Sequence, residues 1–188
     1  MPIPAFDHNG VLPPHLGMPT EAAHLSPYPA TVEEVCQRFC FSSERQTILQ
    51  GWLDLRRGLR NLGYNQGFQW LDGSFVEDIE SGERSRPPGD IDIVSFLFPT
   101  VLSVAQMDAG LLNVLSNRAA TKLQFQVDHF IVPLNASGIS IVEQTRYWCG
   151  LFSHRRLDSV WKGMLKVELG SQAEDDAARQ HLENFINV

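Results

Sequence analysis

The sequence predicts an α/β or α+β fold, a mixed sheet of about four or five strands flanked by helices. Two observations carry this reading. Several stretches alternate apolar and polar residues, as strands with one buried face do, while others repeat apolar residues at helical spacing, and the two kinds interleave along the chain. The composition agrees: 188 residues with 43% hydrophobic and 20% charged side chains can build one core, which sets disorder aside.

Residues 1–30 hold seven of the eleven prolines, so this segment is expected to avoid helix and sheet and to run extended over a surface. Phe6, Val11, Leu12 and Leu16 give it apolar side chains with which to pin an N-terminal arm onto the body, taken as a single domain over 31–188 with a helical preface. Thr31-Val-Glu-Glu34 has the form of a capping box and opens a short helix to about Phe41. Ser43-Glu-Arg-Gln46 is a second such signal, followed at helical spacing by Ile48, Leu49, Trp52, Leu55, Leu59 and Leu62, with Gly63 closing the helix.

Gly67–Asp72 then reads as a strand that leaves through Gly73-Ser74 into a short helix. Residues 80–89 are a loop, and Asp90–Phe96 is an alternating strand. An amphipathic helix is expected over Ser103–Arg118 and a strand over Leu123–Ile131. A helix over Glu143–Leu151 and a strand over Gly163–Leu169 follow. Ser171, with Glu174 in the matching position, caps a last acidic helix to about Ile186. No repeat or low-complexity tract interrupts this order.

A formal net charge of −7 argues against a broad basic face for duplex nucleic acid. The longest charge-free apolar stretch, Ile93–Met107, contains Pro99 and falls short of the roughly 20 residues that span a bilayer. The first residues lack the basic and apolar regions of a signal peptide, so no membrane association and a cytoplasmic location are expected. Cys36, Cys40 and Cys149 form no CxxC pair. Cys36 and Cys40 share a helix face and read as small buried residues; zinc would need a further ligand pair at the usual spacing.

The most informative residues are Asp90 and Asp92. Two apart on a strand, they present both carboxylates on one face of an otherwise apolar run, where unpaired acids repel and a cation is the natural partner. Magnesium takes such carboxylates together with substrate phosphates. Asp128 sits in the next alternating strand. Were the two strands neighbours, three carboxylates would converge, enough for two metal ions roughly 3.5–4 Å apart in a phosphoryl transfer. Gly73-Ser74 adds a turn where backbone can approach a phosphate closely, with a helix N-terminus behind it.

Trp70-Leu-Asp-Gly-Ser74, Gly89-Asp-Ile-Asp-Ile-Val94 and Val127-Asp-His129 together resemble the signature of the DNA-polymerase-β-like nucleotidyltransferase superfamily. Its pattern is a hydrophobic residue and Gly-Ser, an Asp-x-Asp strand and a third acid on a later strand. Residues 3–15, 43–77 and 86–94 are also similar to a small family of uncharacterised bacterial and phage nucleotidyltransferase-like proteins. The resemblance implies a minimal nucleotidyltransferase fold in which Asp90, Asp92 and Asp128 hold magnesium, or manganese in its place. Gly73 and Ser74 would contact the phosphates of a nucleoside triphosphate such as ATP, and Asp128 would help deprotonate the acceptor hydroxyl. The fifteen residues between Ser74 and Asp90 slightly exceed the superfamily spacing and fit the loop at 80–89.

Among the other polar residues, Lys162 is a candidate point charge for the triphosphate, or else a solvated lysine at a strand entrance. His154-Arg-Arg156 is a compact basic spot read as a surface loop, and His129, facing away from Asp128, reads as structural. The chain has no P-loop, no GxGxxG after a strand, no HExxH and no GxSxG elbow. The expected activity is magnesium-dependent transfer of a nucleoside monophosphate to a protein or small-molecule hydroxyl. The length leaves little room for a separate acceptor module. Small relatives by resemblance act in toxin–antitoxin and phage-defence systems. Two alternatives stand beside it: an inactive nucleotidyltransferase-like binding or antitoxin subunit, docking through the arm or the acidic helix face of Glu174, Asp175, Asp176 and Glu183, and a synthase of an oligonucleotide signal.

Overall fold

A computed structural model describes residues 3–81, 85–100 and 102–185. Five strands, β1 (Tyr28–Ala30), β2 (Gly67–Asp72), β3 (Ile91–Leu97), β4 (Val127–Pro133) and β5 (Leu165–Glu168), form one mixed sheet in the order β1-β5-β2-β3-β4. β2 runs antiparallel to both its neighbours, β3 and β5. The outer pairs, β3 with β4 and β1 with β5, are parallel. The mixed α+β architecture expected from the pattern is the one the chain adopts.

The helices divide unequally between the two faces. α1 (Val32–Phe39), α2 (Ser43–Asn61), α3 (Ala109–Leu115), α4 (Arg118–Phe125) and α6 (Gln172–Glu183) cover one face. Their apolar sides meet Leu71, Ile93, Val127 and Leu165 in the larger core. α5 (Gly138–Phe152) lies on the other, where Trp148 and Phe152 pack on Trp70, Val94, Phe96 and Val132. Each strand alternates between these two cores, so its period of two decides which residues join which.

Caps set most helix starts. Thr31 and Glu34 close the expected capping box, and Ser171 and Glu174 close another. For α2 the cap is Ser42, whose side chain accepts from the Arg45 N–H, and Ser43 is the first helical residue. The single helix expected over Ser103–Arg118 is instead a 3-10 turn at Val104–Gln106 followed by α3 and α4. Asp108 and Asn117 each accept from an N–H three residues on and so open new helices within one amphipathic stretch.

The strand expected from Leu123 starts at Val127. Leu123 and Phe125 belong to α4, with Leu123 88% exposed and Phe125 buried, and Gln126 turns the chain in a left-handed conformation at φ 54°. The alternation of Leu123, Phe125 and Val127 imitates a strand, but only Val127 is in one. α5 begins at Gly138, earlier than expected, and β5 is shorter at both ends than Gly163–Leu169. The expected end of the last helix at Ile186 lies outside the described residues, as does part of the loop at 80–89.

The N-terminal segment is pinned to the body at Val11 and Leu12 as expected, and departs from a surface arm at Tyr28–Ala30. Val11 and Leu12 are wholly buried, and Tyr28–Ala30 pairs with β5 as an edge strand despite its proline. Pro29 is tolerated because an edge strand has a side with no ladder to feed. The end of the arm is therefore part of the sheet, while most of residues 3–27 stay half-buried or exposed. Cys36 and Cys40 lie in the larger core as buried thiols, and burial pushes them up to about 12 and about 11. Among the described residues, no helix is long and apolar enough to cross a membrane.

Candidate functional site: a row of carboxylates across three strands

Register places the acids. Asp72 opposes Asp92 across the β2–β3 pair, and Asp92 stands beside Asp128 across the β3–β4 pair. The three form one cross-strand row at the end of the sheet face that α5 covers, and Asp90 lies just before β3. Sequence reasoning named Asp90, Asp92 and Asp128 and missed Asp72. Its signal was a carboxylate two residues after Trp70, hence on the same strand face.

The row opens into a cleft of about 550 Å³. Asp72, Gly73, Ser74, Asp90, Asp92, Asp128 and Lys162 all line it, so every residue singled out for the site by sequence reaches one cavity. Arg86, Arg118, Lys122 and the His154–Arg156 segment form a basic rim. The His154-Arg-Arg156 spot thus borders the cleft rather than standing apart as a surface loop. Arg155 is tied to Asp158 and to the Asn9 carbonyl at 2.7 Å, while Arg156 is exposed.

The Gly73-Ser74 turn differs from the short helix expected there. Ser74–Val76 is a 3-10 turn of three residues, too short for a helix dipole to help hold a phosphate. What the turn offers is proximity. Gly73 adopts φ 81°, and a β-carbon there would stand 2.0 Å from Asp92 Oδ2, so glycine lets the carboxylate lie against the backbone.

Two of the three expected metal ligands are ion-paired with α4. Arg118 makes a two-pronged contact to both oxygens of Asp128, and Lys122 Nζ lies 2.5 Å from Asp90 Oδ2. These contacts hold Arg118 and Lys122 charged, raising both above their ordinary values. Asp92 makes no hydrogen bond among the described residues. Burial, and then the charges of Asp90 and Asp128, push it up to about 6.

Lys162 is neither free for a triphosphate nor solvated. It is 2% exposed, with Nζ 2.9 Å from Glu77 Oε1, 3.1 Å from the Gly73 carbonyl and 3.0 Å from Asp72 Oδ1. The last contact is off hydrogen-bond geometry, which leaves that buried oxygen without a donor. Burial, outweighing Lys162, pushes Asp72 up to about 7, while burial's opposite pull on Lys162 is overcome by Asp72 and Glu77.

His129 faces the opposite side of β4, as expected, but it is more than packing. A buried chain of hydrogen bonds runs behind the acid row. Arg56 Nε donates to Asp175 at 2.9 Å, and an Arg56 terminal nitrogen donates to Gln69 Oε1 at 3.0 Å. Gln69 Nε2 donates to Ser95 Oγ at 2.9 Å, and Ser95 Oγ meets His129 Nε2 at 2.8 Å. Asp175 is thus 2% exposed and structural, which removes it from the acidic docking face; Glu174, Asp176 and Glu183 remain exposed.

The donor set suits a hard divalent cation in kind: carboxylate oxygens, one of them on a side chain with no hydrogen bond of its own. Among the described residues no three His, Cys, Asp or Glu side chains are gathered closely enough to hold a metal ion. Arg118 and Lys122 each take up one of the expected ligands, Asp128 and Asp90. Residues 4–168 match the model of a family described as a Family of unknown function (DUF6932). No curated protein and no solved structure matches the chain.

Proposed function

We propose, from the premise that the chain belongs to the DUF6932 family, that it is a nucleotidyltransferase. It would move a nucleoside monophosphate from a nucleoside triphosphate to the hydroxyl of a protein or small molecule. The observation that carries this reading is the register of Asp92 beside Asp128, with Asp90 adjoining, in a cleft that also contains the Gly73-Ser74 turn and a basic rim. An acidic row facing cations across one cavity suits a polyphosphate bound with a metal, and the likeness to the nucleotidyltransferase signature rests on the same residues.

In this reading Asp90, Asp92 and Asp128 would hold magnesium or manganese, which supplies neutralisation of the triphosphate charge. The protein's own part is positioning and electrostatics. The Gly73-Ser74 backbone receives the phosphates at close range, and Arg86 and Arg156 offer positive charge from the rim. The acceptor oxygen forms a bond to the α-phosphorus, the bond to the bridging oxygen breaks, and pyrophosphate leaves with that electron pair. Asp128 would take the acceptor's proton once Arg118 has released one of its oxygens. A cytoplasmic location and a toxin–antitoxin or defence setting belong to the same proposal.

A second reading, an inactive nucleotide-binding subunit, draws on the same ion pairs, because Arg118 and Lys122 occupy two of the carboxylates. Incubation with α-labelled nucleoside triphosphates, magnesium and candidate acceptors separates the two. Nucleotidyl transfer predicts product that falls by at least about 100-fold in Asp92→Asn. Equal signals from wild type and variant overturn it, and nucleotide binding without any product favours the subunit.

A further inference from the structure

α4 presents its two cations to the cleft from one side. Arg118 and Lys122 are four residues apart, hence neighbours on one helix face. Their side chains are 59% and 53% exposed although each is paired with a carboxylate. The cations are the solvated partners, whereas the Asp128 carboxylate is 5% exposed and that of Asp90 20%, so either cation can leave only when another cation takes its place on the carboxylate. The Arg118 guanidinium also lies 4.7 Å from the centre of the Phe130 ring, a contact that keeps it over the cleft after Asp128 is released.

Charge balance gives the exchange a direction. Asp90, Asp92 and Asp128 face two α4 cations, and the carboxylate left over is Asp92, which makes no hydrogen bond among the described residues. A divalent cation that gathers all three acids sets Arg118 and Lys122 free at the same moment. Two released cations then overhang a cleft whose expected second occupant carries several negative charges.

We propose that Arg118 and Lys122 are exchangeable counter-ions: they neutralise Asp128 and Asp90 in the cation-free protein and pass to the phosphates of the substrate when a divalent cation takes those carboxylates. The inference rests on the nucleotidyltransferase reading of the cleft and adds to it an order of binding and two phosphate-binding residues. It also makes metal and polyphosphate binding cooperative, since each occupant provides the charge that the other displaces.

The test uses two probes on the full chain: manganese alone, followed by paramagnetic resonance, and α,β-methylene-ATP with saturating magnesium, followed by calorimetry. Arg118→Gln/Lys122→Gln is expected to bind manganese about tenfold more tightly than wild type, having lost the competing cations, and the nucleotide analogue about tenfold more weakly. Arg118→Lys/Lys122→Arg, which preserves both charges, is expected to stay near wild type for both probes. Both positions are exposed, and matching thermal melts establish that the variants fold. Changes in the same direction for both probes, or no change in either, overturn the inference. If Asp92→Asn weakens manganese binding while the glutamine variant equals wild type, the exchange fails and the site reading stands. If Asp92→Asn leaves manganese binding unaltered, the site reading fails and takes the exchange with it.

Discussion

Asp92 rests against Gly73 so closely that a β-carbon on the glycine would lie 2.0 Å from Asp92 Oδ2. The glycine is needed twice, for its φ of 81° and for the space. Gly73→Ala is therefore expected to lower stability by about 1–3 kcal/mol, through backbone strain and displacement of the carboxylate. Urea unfolding measures the first effect and manganese titration the second. Ser74→Ala, which adds no atoms beside Asp92, is expected to change stability by less than about 0.5 kcal/mol.

The ammonium of Lys162 stands between Asp72 and Glu77 at 2% exposure. Lys162→Met takes the positive charge out of a buried acidic pair and is expected to lower stability by about 3–5 kcal/mol in urea unfolding. Adding Asp72→Asn removes one of the two buried carboxylates that Lys162 faces and is expected to restore part of that loss. A cost below about 0.5 kcal/mol would return Lys162 to the role of a solvated lysine.

These two cases mark how far the sequence could be read. Gly73, Asp90, Asp92 and Asp128 were legible because strand period and turn chemistry are local, and two-residue spacing states which side chains share a face. Lys162 was legible only as a charge, because its partners Asp72 and Glu77 are brought to it by the antiparallel pairing of β2 with β5. Asp72 itself looked like a strand end until the register with Asp92 put it in the row. Arg118 and Lys122 were hidden by a different cause. Their helix is short, its last residues alternate as a strand would, and its separation from α3 depends on the Asn117 cap. The edge strand at Tyr28 was masked by composition, since proline density speaks against sheet in general but not against an edge.

The titrating groups of the site and of the wire behind it act on stability in opposite senses. Asp92 is raised from 3.8 to about 6, by burial and by Asp90 and Asp128, so its contribution is full below pH 4 and is lost as pH rises through 6. Asp72, raised by burial to about 7, acts in the same sense. His129 is lowered by burial from 6.5 to about 4, so its contribution is present above pH 6.5 and is lost as pH falls through 4. In chelator, Asp92→Asn is expected to be more stable than wild type above pH 6, and saturating magnesium is expected to reverse that order. His129→Asn is expected to flatten the acid side of the profile. Thermal melts from pH 4 to 8 read both, and parallel profiles for wild type and variants would count against these assignments.

Arg56 carries the buried wire behind the acid row, and its loss tests whether the core and the cleft are linked. Its guanidinium is unexposed and meets Asp175, Gln69 Oε1 and the carbonyls of Glu168 and Leu169. It therefore ties α6 to β2 and β5, and Gln69 carries the contact on through Ser95 to His129, next to Asp128. Arg56→Met leaves Asp175 with Arg60 as its remaining ion partner, at 2.7 Å, and Gln69 with the Trp52 indole at 2.9 Å. The expected cost is about 3–5 kcal/mol in urea unfolding, because buried Asp175 loses one of its two cations and the Glu168 and Leu169 carbonyls lose the Arg56 donor, although Leu169 keeps Arg60. The link to the cleft has its own readout. If the wire holds β2, β3 and β4 in register, folded Arg56→Met is expected to bind manganese more weakly although it lies on the far face of the sheet from Asp92. Unchanged manganese affinity in the folded variant would confine Arg56 to holding α6 in place.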